Sequence, residues 1–458
     1  MPKRERRWAM TSMMIVAFMA VLDGTIVNVA LPTMAHDLSV TPAESIWIAN
    51  AFQIAVTATL FAFASLGGLI GFDRVYSAGA IVFTLGSLFC SLSHRLDLLI
   101  VARAIQGIGA SMLMGIQPAL IRSIYPPERL GRGTGAMAVM VATTAAAGPT
   151  IGGAILAVAT WPWLFLINVP VGIADTLLMR RTLPHIEGRG SLRDFDLPGA
   201  IFAGLALTMV TLAVEALAHQ ERRWVWPCVA ILVVSLALFI RRQKRIDKPL
   251  VPLEAFERAP FTLSSLTSVC SYTAQGLAIV SLPFFFQASL GRSPLEAALL
   301  LTPWPISVAL VARWAGRLAD RVPVAILGTA GLSVMALGAA ALALLPSRPG
   351  VGDIVWREML CGLGFGFFQS PNNREIMSSL PHALTSVAAG MLATARVFGQ
   401  SLGAALVAVV FGVLGAQTVA LGGEHFGAVR TAMPITLWAA CVIAALGAAV
   451  SSLRYRNS

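Results

Sequence analysis

Long apolar runs constrain this chain more than any other feature of its sequence. Of its 458 residues, 57% are hydrophobic and only 12% are charged, whereas soluble proteins carry about 25% charged residues. The runs reach the length that an α-helix needs to cross a bilayer, about 20 residues. Only helices and closed barrels satisfy their backbone in lipid, and these runs are too long for barrel strands. The sequence therefore predicts an all-α polytopic membrane protein.

The apolar runs predict about fourteen spans. Their starts fall near Trp8, Trp47, Ser77, Leu98, Thr134, Trp163, Leu197, Trp224, Phe261, Leu295, Val324, Ile354, Thr385 and Thr431. A weak repeat pairs "GLIGFDRVYSAG" before the third span with "GRLADRVPVAILGTAG" before the eleventh. This offset divides the chain into an N-terminal six-helix bundle (8–182), a loop with two inserted helices (183–245), a cytoplasmic linker (246–258) and a C-terminal six-helix bundle (259–458). Paired six-helix halves are typical of transporters that hold substrate between the halves.

Most basic residues lie on one side of the membrane in the predicted topology. The net charge is +11, but the basic residues form short clusters between apolar runs, which argues against nucleic-acid binding. Most of the 33 Lys and Arg residues fall on one side if the N-terminus is inside, so the positive-inside rule predicts that both termini are cytoplasmic. Lysine is scarce beside arginine, which hints at a GC-rich bacterial genome. We expect a multi-pass protein of the bacterial inner membrane.

Other chemistries lack their motifs. The five cysteines never occur as CxxC, the histidines are scattered singly, and no HExxH is present, so no metal site is expected. The sequence contains no Walker A motif, which argues against ATP as the energy source.

Six motifs, in order along the chain, carry a family resemblance. The first half contains "LDGTIVNVALP", "LIVARAIQGIGAS", "AAAGPTIGGAI" and "WPWLFLINVPVGI", and the second contains "GLGFGFFQSPNNREIMSSLP" and "ATARVFGQSLGAAL". Together they resemble the major facilitator superfamily, most of all its fourteen-span drug/proton antiporters. The resemblance covers nearly the whole chain. It implies a secondary transporter that needs no cofactor and takes its energy from a proton gradient.

Asp23 and Arg103 are the candidate proton-coupling residues. A carboxylate inside a membrane is costly, so a functional role is its default interpretation, with a structural hydrogen bond as the alternative. Counting about 1.5 Å per residue places both side chains about 20 Å from the cytoplasmic face. Forming and breaking their contact would switch Asp23 between proton-releasing and proton-binding states. The resemblance likewise links this aspartate to proton coupling.

The glycine-rich stretch of the fifth span matches the antiporter signature of the resembled family. Gly148 and Gly152 form a GxxxG step, which lets helices approach closely. Pro149 permits a kink, and Gly153 completes the GPxxGG pattern. GxxxG alone is ordinary helix packing, whereas GPxxGG in this span implies export rather than import.

Further polar residues inside the predicted spans divide into cavity candidates and interhelical contacts. The candidates for substrate contact are Asn28, Gln53, Gln106, Gln275, Gln369, Asn372, Arg396 and Gln400. Arg396 requires a counter-charge or a water-filled cavity. Asp175, five residues before Arg180, is expected to form a salt bridge facing the cytoplasm, with a second proton or cation site as the alternative.

The loops before the third and eleventh spans predict an asymmetric cytoplasmic gate. The family motif there reads G-x-L-a-D-R-x-G-R-R, and Asp73-Arg74 looks like its D-R pair. Aligning the glycines that follow, Gly79 and Gly331, instead places Gly68 at the motif aspartate and Gly71 at its later glycine.

The second half keeps the gate motif. Its residues are Gly316, Arg317, Asp320 and Arg321. In the resembled family the aspartate latches the cytoplasmic side shut. We therefore expect a working latch at Asp320, a weak or rebuilt one around Asp73, and an inward-open state that is more populated than in relatives.

The leading functional interpretation is a proton-coupled antiporter that exports amphipathic small molecules or drugs by alternating access. One alternative is an exporter dedicated to a single physiological metabolite, and another is a sensor that binds without transporting. A remote alternative is a polytopic membrane enzyme. The expected partners are the lipid bilayer, protons and a small-molecule substrate; a periplasmic adaptor protein is a further partner that the sequence leaves open.

Overall fold

The computed structural model describes residues 3–125, 130–183, 195–218, 222–246, 249–319, 321–346, 348–381, 384–414 and 426–456. The first half contains α1 (Lys3–Asp37), α2 (Pro42–Ile70), α3 (Phe72–Leu92), α4 (Leu96–Ile124), α5 (Leu130–Val158), α6 (Trp163–Leu166) and α7 (Asn168–Thr182). The middle contains α8 (Leu197–Ala218), α9 (Arg222–Gln243) and α10 (Glu254–Glu257). The second half contains α11 (Ala259–Phe284), α12 (Pro294–Leu301), α13 (Pro303–Leu318), α14 (Val324–Ala343), α15 (Val351–Ser378), α16 (Thr385–Val413) and α17 (Phe426–Ser452).

The helices confirm an all-α polytopic membrane protein. Within the described ranges, 11 helical segments are long and apolar enough to cross a membrane, and two shorter apolar helices accompany them. A helix begins within five residues of every predicted start. The start of α2 is set by a capping box, in which Thr41 and Glu44 satisfy each other's backbone N–H groups.

Two of the predicted spans are broken in the middle. The sixth is divided into α6 and α7 at Ile167, and the tenth into α12 and α13 at Thr302. Pro170 and Pro303 follow these breaks, and neither can donate the backbone hydrogen bond that a continuous helix requires. The breaks bend both spans without ending them.

The two halves repeat one packing scheme. In the first half α3 packs on α4 and α7, α1 on α5, and α2 on α4. In the second half α14 packs on α15 and α17, α11 on α16, and α13 on α15. The repeat therefore pairs α3 with α14 and α4 with α15, as the sequence offset predicts.

Glycines fix the register of this repeat. A Cβ added at Gly86 of α3 would lie 2.7 Å from the backbone nitrogen of Gln106 in α4, and one at Gly338 of α14 would lie 2.7 Å from that of Cys361 in α15. Each pair of backbones is therefore in contact at matching positions, which only glycine allows. Gln106 in the first half corresponds to Cys361 in the second.

The inserted helices lie across the boundary between the halves. α8 packs on α2 of the first half, on α16 of the second, and on its partner α9. Gly204 lets α8 approach α2, because a Cβ there would lie 2.7 Å from the carbonyl oxygen of Ala58. Asp196 precedes α8 and accepts hydrogen bonds from Gly199 N at 3.0 Å and Gln243 Nε2 at 2.8 Å, which ties the two inserted helices together.

Helix direction alternates along the chain, so the bundle has two distinct ends. Both described chain ends, Lys3 and Arg456, lie at one end, which we call the terminal end. The α1–α2 and α3–α4 connections lie at the other, which we call the opposite end.

Candidate functional site

A buried ion pair joins α1 to α4. Arg103 Nη1 donates to Asp23 Oδ2 at 2.5 Å, and the two side chains are 1% and 0% exposed. The sequence predicted compatible depths for these residues, and the structure brings them into contact. A paired, hydrogen-bonded carboxylate is the form in which a charge can persist in so dry a place.

Neutral polar groups complete the network around Asp23. Gln106 Nε2 donates to Asp23 Oδ1 at 2.8 Å and to Ser87 Oγ at 2.7 Å. Asn168 of α7 donates to the same carboxylate oxygen at 3.2 Å. Arg103 Nη1 also reaches Gln106 Oε1 at 2.6 Å. Both carboxylate oxygens are therefore satisfied, by donors from two helices.

Arg103 is also anchored to α2. Its Nε donates to the carbonyl oxygen of Ile48 at 2.9 Å, and its guanidinium carbon lies 4.4 Å from the ring centre of Phe52. Gly107, one turn further along α4, allows this contact, since a Cβ there would lie 2.5 Å from the Phe52 carbonyl oxygen. One arginine thus connects α1, α2 and α4, so a change at Asp23 reaches three helices.

The α5 glycine motif packs beside this network. A Cβ at Gly148 would lie 2.0 Å from Thr25 Oγ1, and one at Gly152 would lie 3.1 Å from Ile26 Cβ. Both neighbours follow Asp23 on α1 by two or three residues. Pro149 lies inside a continuous α5, between these two close contacts. The motif therefore holds α5 against the part of α1 that carries the carboxylate.

The same motif also touches the other half. A Cβ at Gly153 would lie 2.7 Å from Ala298 Cβ on α12, and Thr150 shares a 2.9 Å hydrogen bond with Thr302. Nearby, Gln287 Nε2 donates to the carbonyl oxygen of Val29 at 2.9 Å. These contacts join the halves toward the opposite end, and α2 and α16 form a further contact between the halves.

Three of the predicted polar residues of the second half form two hydrogen-bonded pairs, one of them with Tyr272. Gln369 Nε2 donates to the Tyr272 hydroxyl at 2.9 Å, and Gln400 Nε2 donates to Gln275 Oε1 at 3.3 Å. Arg396 is half-buried on α16 near Tyr272. They lie on α11, α15 and α16, of which α11 and α16 pack on helices of the first half.

Three other cavity candidates have different surroundings. Asn372 is 0% exposed and belongs to a network within the second half: its Oδ1 accepts from Arg454 Nη1 at 3.0 Å and its Nδ2 donates to Ser268 Oγ at 2.8 Å. This places Asn372 in a structural contact between α15, α11 and the C-terminal turn. Asn28 donates to the Gly24 carbonyl at 3.2 Å along α1, and Gln53 has a buried Oε1 without a hydrogen-bond partner among the described residues.

The gate residues show why the two loops differ. α3 and α14 each begin seven residues before their aligned glycines, Gly79 and Gly331. In the first half α2 continues through Gly68, and the link to α3 is Gly71 alone, whose φ of 112° favours glycine. In the second half α13 ends at Leu318, so the connection to α14 is longer.

Charged gate residues lie at the terminal end. Arg74, Arg317 and Arg321 have exposed side chains, and Asp73 is half-buried. A Cβ added at Gly68 would have no atom within 4 Å, and one at Gly316 would have only Ser370 Oγ, at 3.6 Å. Asp320, the expected latch, lies outside the described residues.

Asp175 forms no ion pair among the described residues, and the Arg180 side chain of the expected Asp175–Arg180 salt bridge lies outside them. The Asp175 side chain is 2% exposed and neither carboxylate oxygen has a hydrogen-bond partner among the described residues. Five residues on a helix correspond to about 500°, which places position 180 on another face of α7. Asp175 instead faces α1, where Ser12 is the nearby polar group.

Sequence reasoning missed two buried carboxylates. Glu215 of α8 is 1% exposed and accepts a hydrogen bond from Asn50 of α2, whose Oδ1 accepts from Ser401 of α16 at 3.4 Å. This contact joins the inserted pair to both halves. Glu358 of α15 is 0% exposed. An acidic residue inside a predicted span was the available signal for each of them.

Known proteins resemble this chain over most of its length. The family model of the Major Facilitator Superfamily matches residues 13–404. The uncharacterized transporter YebQ of Escherichia coli K12 is 47% identical over 455 residues, covering 99% of this chain and 96% of YebQ. The riboflavin transporter RibZ of Clostridioides difficile is 31% identical, covering 86% of each chain. MdtD of Escherichia coli SE11, named as a candidate multidrug resistance protein, is 28% identical, covering 96% of this chain and 93% of MdtD.

A solved structure shows the same fold. It is a bacterial homologue of the human lysosomal transporter Spinster in an inward-facing, unoccupied conformation, with a TM-score of 0.70, 16% identity, and coverage of 100% of this chain and 98% of that one. The likeness extends over all the described helices. The family model and the similarity to YebQ show that this chain belongs to the Major Facilitator Superfamily of membrane transporters.

Proposed function

We propose that this transporter is a proton-coupled antiporter that exports amphipathic small molecules, drugs among them, across the bacterial inner membrane. The observation that carries the proposal is the buried Asp23–Arg103 pair, because it is a titratable group held where α1, α2 and α4 meet. The relation to MdtD supports a drug-like substrate range. The antiporter motif in α5 supports the direction of transport.

Protonation of Asp23 would act on the network through charge. An Asp23 carboxylate holds Arg103 Nη1, Gln106 and Asn168 toward α1, whereas a neutral acid loses the ionic part of that attraction. Arg103 keeps its contacts with Ile48 and Phe52, so it stays with α2 when Asp23 releases it. The position of α1 relative to α2 and α4 therefore depends on the proton.

The α5 motif would carry this change to the other half. Gly148 and Gly152 keep α5 in contact with α1 just beyond Asp23, and Gly153 keeps α5 in contact with α12. Displacing α1 thus loosens or tightens the contact between the halves. With the terminal end in the cytoplasm, the contact between α5 and α12 lies on the outer side of the membrane.

The relation to RibZ favours a second candidate, a transporter dedicated to one physiological compound. The two candidates share the coupling mechanism and differ in selectivity. Amide groups such as the Gln275–Gln400 pair suit hydrogen bonding to a polar planar ring as well as weak contact with drugs.

Transport by purified protein in liposomes tests the proposal. We expect an imposed pH gradient, with the membrane potential clamped, to drive accumulation of compounds from a panel that includes ethidium and riboflavin. Accumulation of many unrelated amphiphiles supports the drug exporter, and accumulation of a single compound supports the dedicated transporter. Accumulation that does not depend on the pH gradient would overturn proton coupling for both candidate functions.

A further inference from the structure

We propose that Glu358 is a second proton-binding group, so that each cycle couples two protons. The proposal rests on the proposed antiport function and extends it to stoichiometry. The first observation behind it is the alignment of α4 with α15 in the repeat. Since Gln106 corresponds to Cys361, Arg103 corresponds to Glu358, three residues earlier on the matching helix. Both lie seven residues after the helix starts, Leu96 and Val351.

A second pair of glycines supports this correspondence. A Cβ at Gly109 of α4 would lie 2.4 Å from Phe83 N, and one at Gly364 of α15 would lie 2.3 Å from Met335 N. Gly109 and Gly364 follow Arg103 and Glu358 by six residues each. The second half therefore carries an acid at the position where the first half carries the ion-paired arginine.

Unlike Arg103, Glu358 has no hydrogen-bond partner for its charged group among the described residues. Its side chain is 0% exposed, and neither carboxylate oxygen has a hydrogen-bond partner among the described residues. The adjacent Arg357 is engaged by Asp353 at 2.5 Å and stacks on Trp356. Burying an ionised carboxylate without a partner costs several kcal/mol, so this conformation favours the protonated acid.

Among the described residues, no charged group on the surrounding helices forms a hydrogen bond with Glu358. α14 carries no charged residue. On the other helices that pack against α15, the titratable or charged groups are Tyr272 of α11, Glu296 of α12, Arg313 and Arg317 of α13 and Arg396 of α16, together with Cys361 on α15 itself. The two arginines of α13 lie nine and thirteen residues beyond Trp304, toward the terminal end. Glu296 is engaged in the capping box of α12 with Ser293.

Glu358 lies near a contact that transport must open. Gly362, one turn further along α15, packs against the carbonyl oxygen of Trp304, at 2.3 Å from an added Cβ. Trp304 follows Thr302, which bonds Thr150 of the first half. Separation of α12 from α5 would uncover the acid to water at the opposite end and allow its proton to exchange. The indole N–H of Trp304, also buried without a partner among the described residues, is placed to accompany that change.

The steady-state accumulation ratio measures the number of coupled protons. With the membrane potential clamped at zero, a pH difference of one unit supports a ratio of about 100 with two protons and about 10 with one, since a pH unit and a tenfold ratio carry the same free energy. We expect about 100 for the wild type, about 10 for Glu358→Gln, and about 100 for Glu358→Asp. The matched control Asp353→Asn, on the same helix, should keep the wild-type ratio.

The outcomes separate this inference from the proposed function. If the wild type shows no response to the pH difference, proton coupling itself fails. If the wild type responds with a ratio of about 10, or if Glu358→Gln accumulates as much as the wild type, only the second proton fails. Exchange of labelled for unlabelled substrate checks that each variant is folded, and a wild-type ratio of about 10 overturns the second proton even if Glu358→Gln is inactive.

Discussion

Arg103 is the residue on which the site depends, because its guanidinium serves several acceptors at once. It binds Asp23, Gln106 and the Ile48 carbonyl while stacking on Phe52. The sequence could predict the Asp23–Arg103 pair from depth alone, since a lone acid and a lone base in apolar helices need each other. It could not predict the Asn168 contact, which joins residues far apart in the chain through the α6–α7 break.

Truncating Arg103 should destabilise the protein strongly. Arg103→Ala leaves the Asp23 carboxylate buried and uncompensated, which costs about 3–5 kcal/mol of unfolding free energy. Adding Asp23→Asn should recover part of this loss, because no buried charge then remains unpaired. The matched control is Arg95→Ala, whose ion pair with Asp97 is exposed and whose loss should change little. Thermal unfolding in detergent measures all four proteins, and an Arg103→Ala midpoint equal to that of Arg95→Ala would contradict the network.

At the scale of elements, the apolar runs predicted where helices begin, whereas the contacts between helices could be seen only in the fold. The GPxxGG motif announced close packing, but not that Gly148 meets α1 while Gly153 meets α12 of the other half. The insertion of α8 between α2 and α16 was likewise beyond the sequence, since its contact through Glu215 and Asn50 joins residues 165 positions apart. Short-range patterns contain no information about such partners.

Gly148→Ala should impair transport by pushing α5 away from α1. The new methyl group would approach Thr25 Oγ1 to 2.0 Å, so one helix must shift. Elsewhere in a helix the same change would gain about 0.5–1 kcal/mol. Gly24→Ala is the matched control, because no atom lies within 4 Å of a Cβ at that position. Adding Thr25→Ala should restore part of the transport rate of Gly148→Ala; equal rates for Gly148→Ala and Gly24→Ala would refute the close-contact role.

At the scale of the whole molecule, the repeat accounts for the matching helix contacts in the two halves and shows at which residues the halves differ. The sequence offset between the third and eleventh spans correctly paired α3 with α14, because glycines mark both helices. That Glu358 occupies the repeat position of Arg103 could not be predicted from this offset, because the correspondence appears only when α4 and α15 are aligned as well. The gate differs between halves because α2 extends through the place of the missing aspartate.

The gate asymmetry predicts opposite effects of two substitutions on the conformational equilibrium. Asp320→Asn should raise the population open at the terminal end, because it removes the remaining family latch. Gly68→Asp should lower that population by restoring a carboxylate in the first half, and Gly68→Ala is its uncharged control. Spin-label distances across the terminal end report the populations. If the distance distribution is unchanged in both Asp320→Asn and Gly68→Asp, the proposed gate is wrong.

The central claim is that Asp23 carries a coupled proton, and the accumulation ratio of Asp23→Asn tests it most directly. Removing one coupled proton lowers the ratio about tenfold at a pH difference of one unit, whatever the total number of protons. We predict this tenfold fall. Asparagine preserves the shape of the site but leaves the buried Arg103 charge without its counter-ion, so exchange of labelled for unlabelled substrate checks that the variant is folded. A ratio equal to that of the wild type would contradict the account.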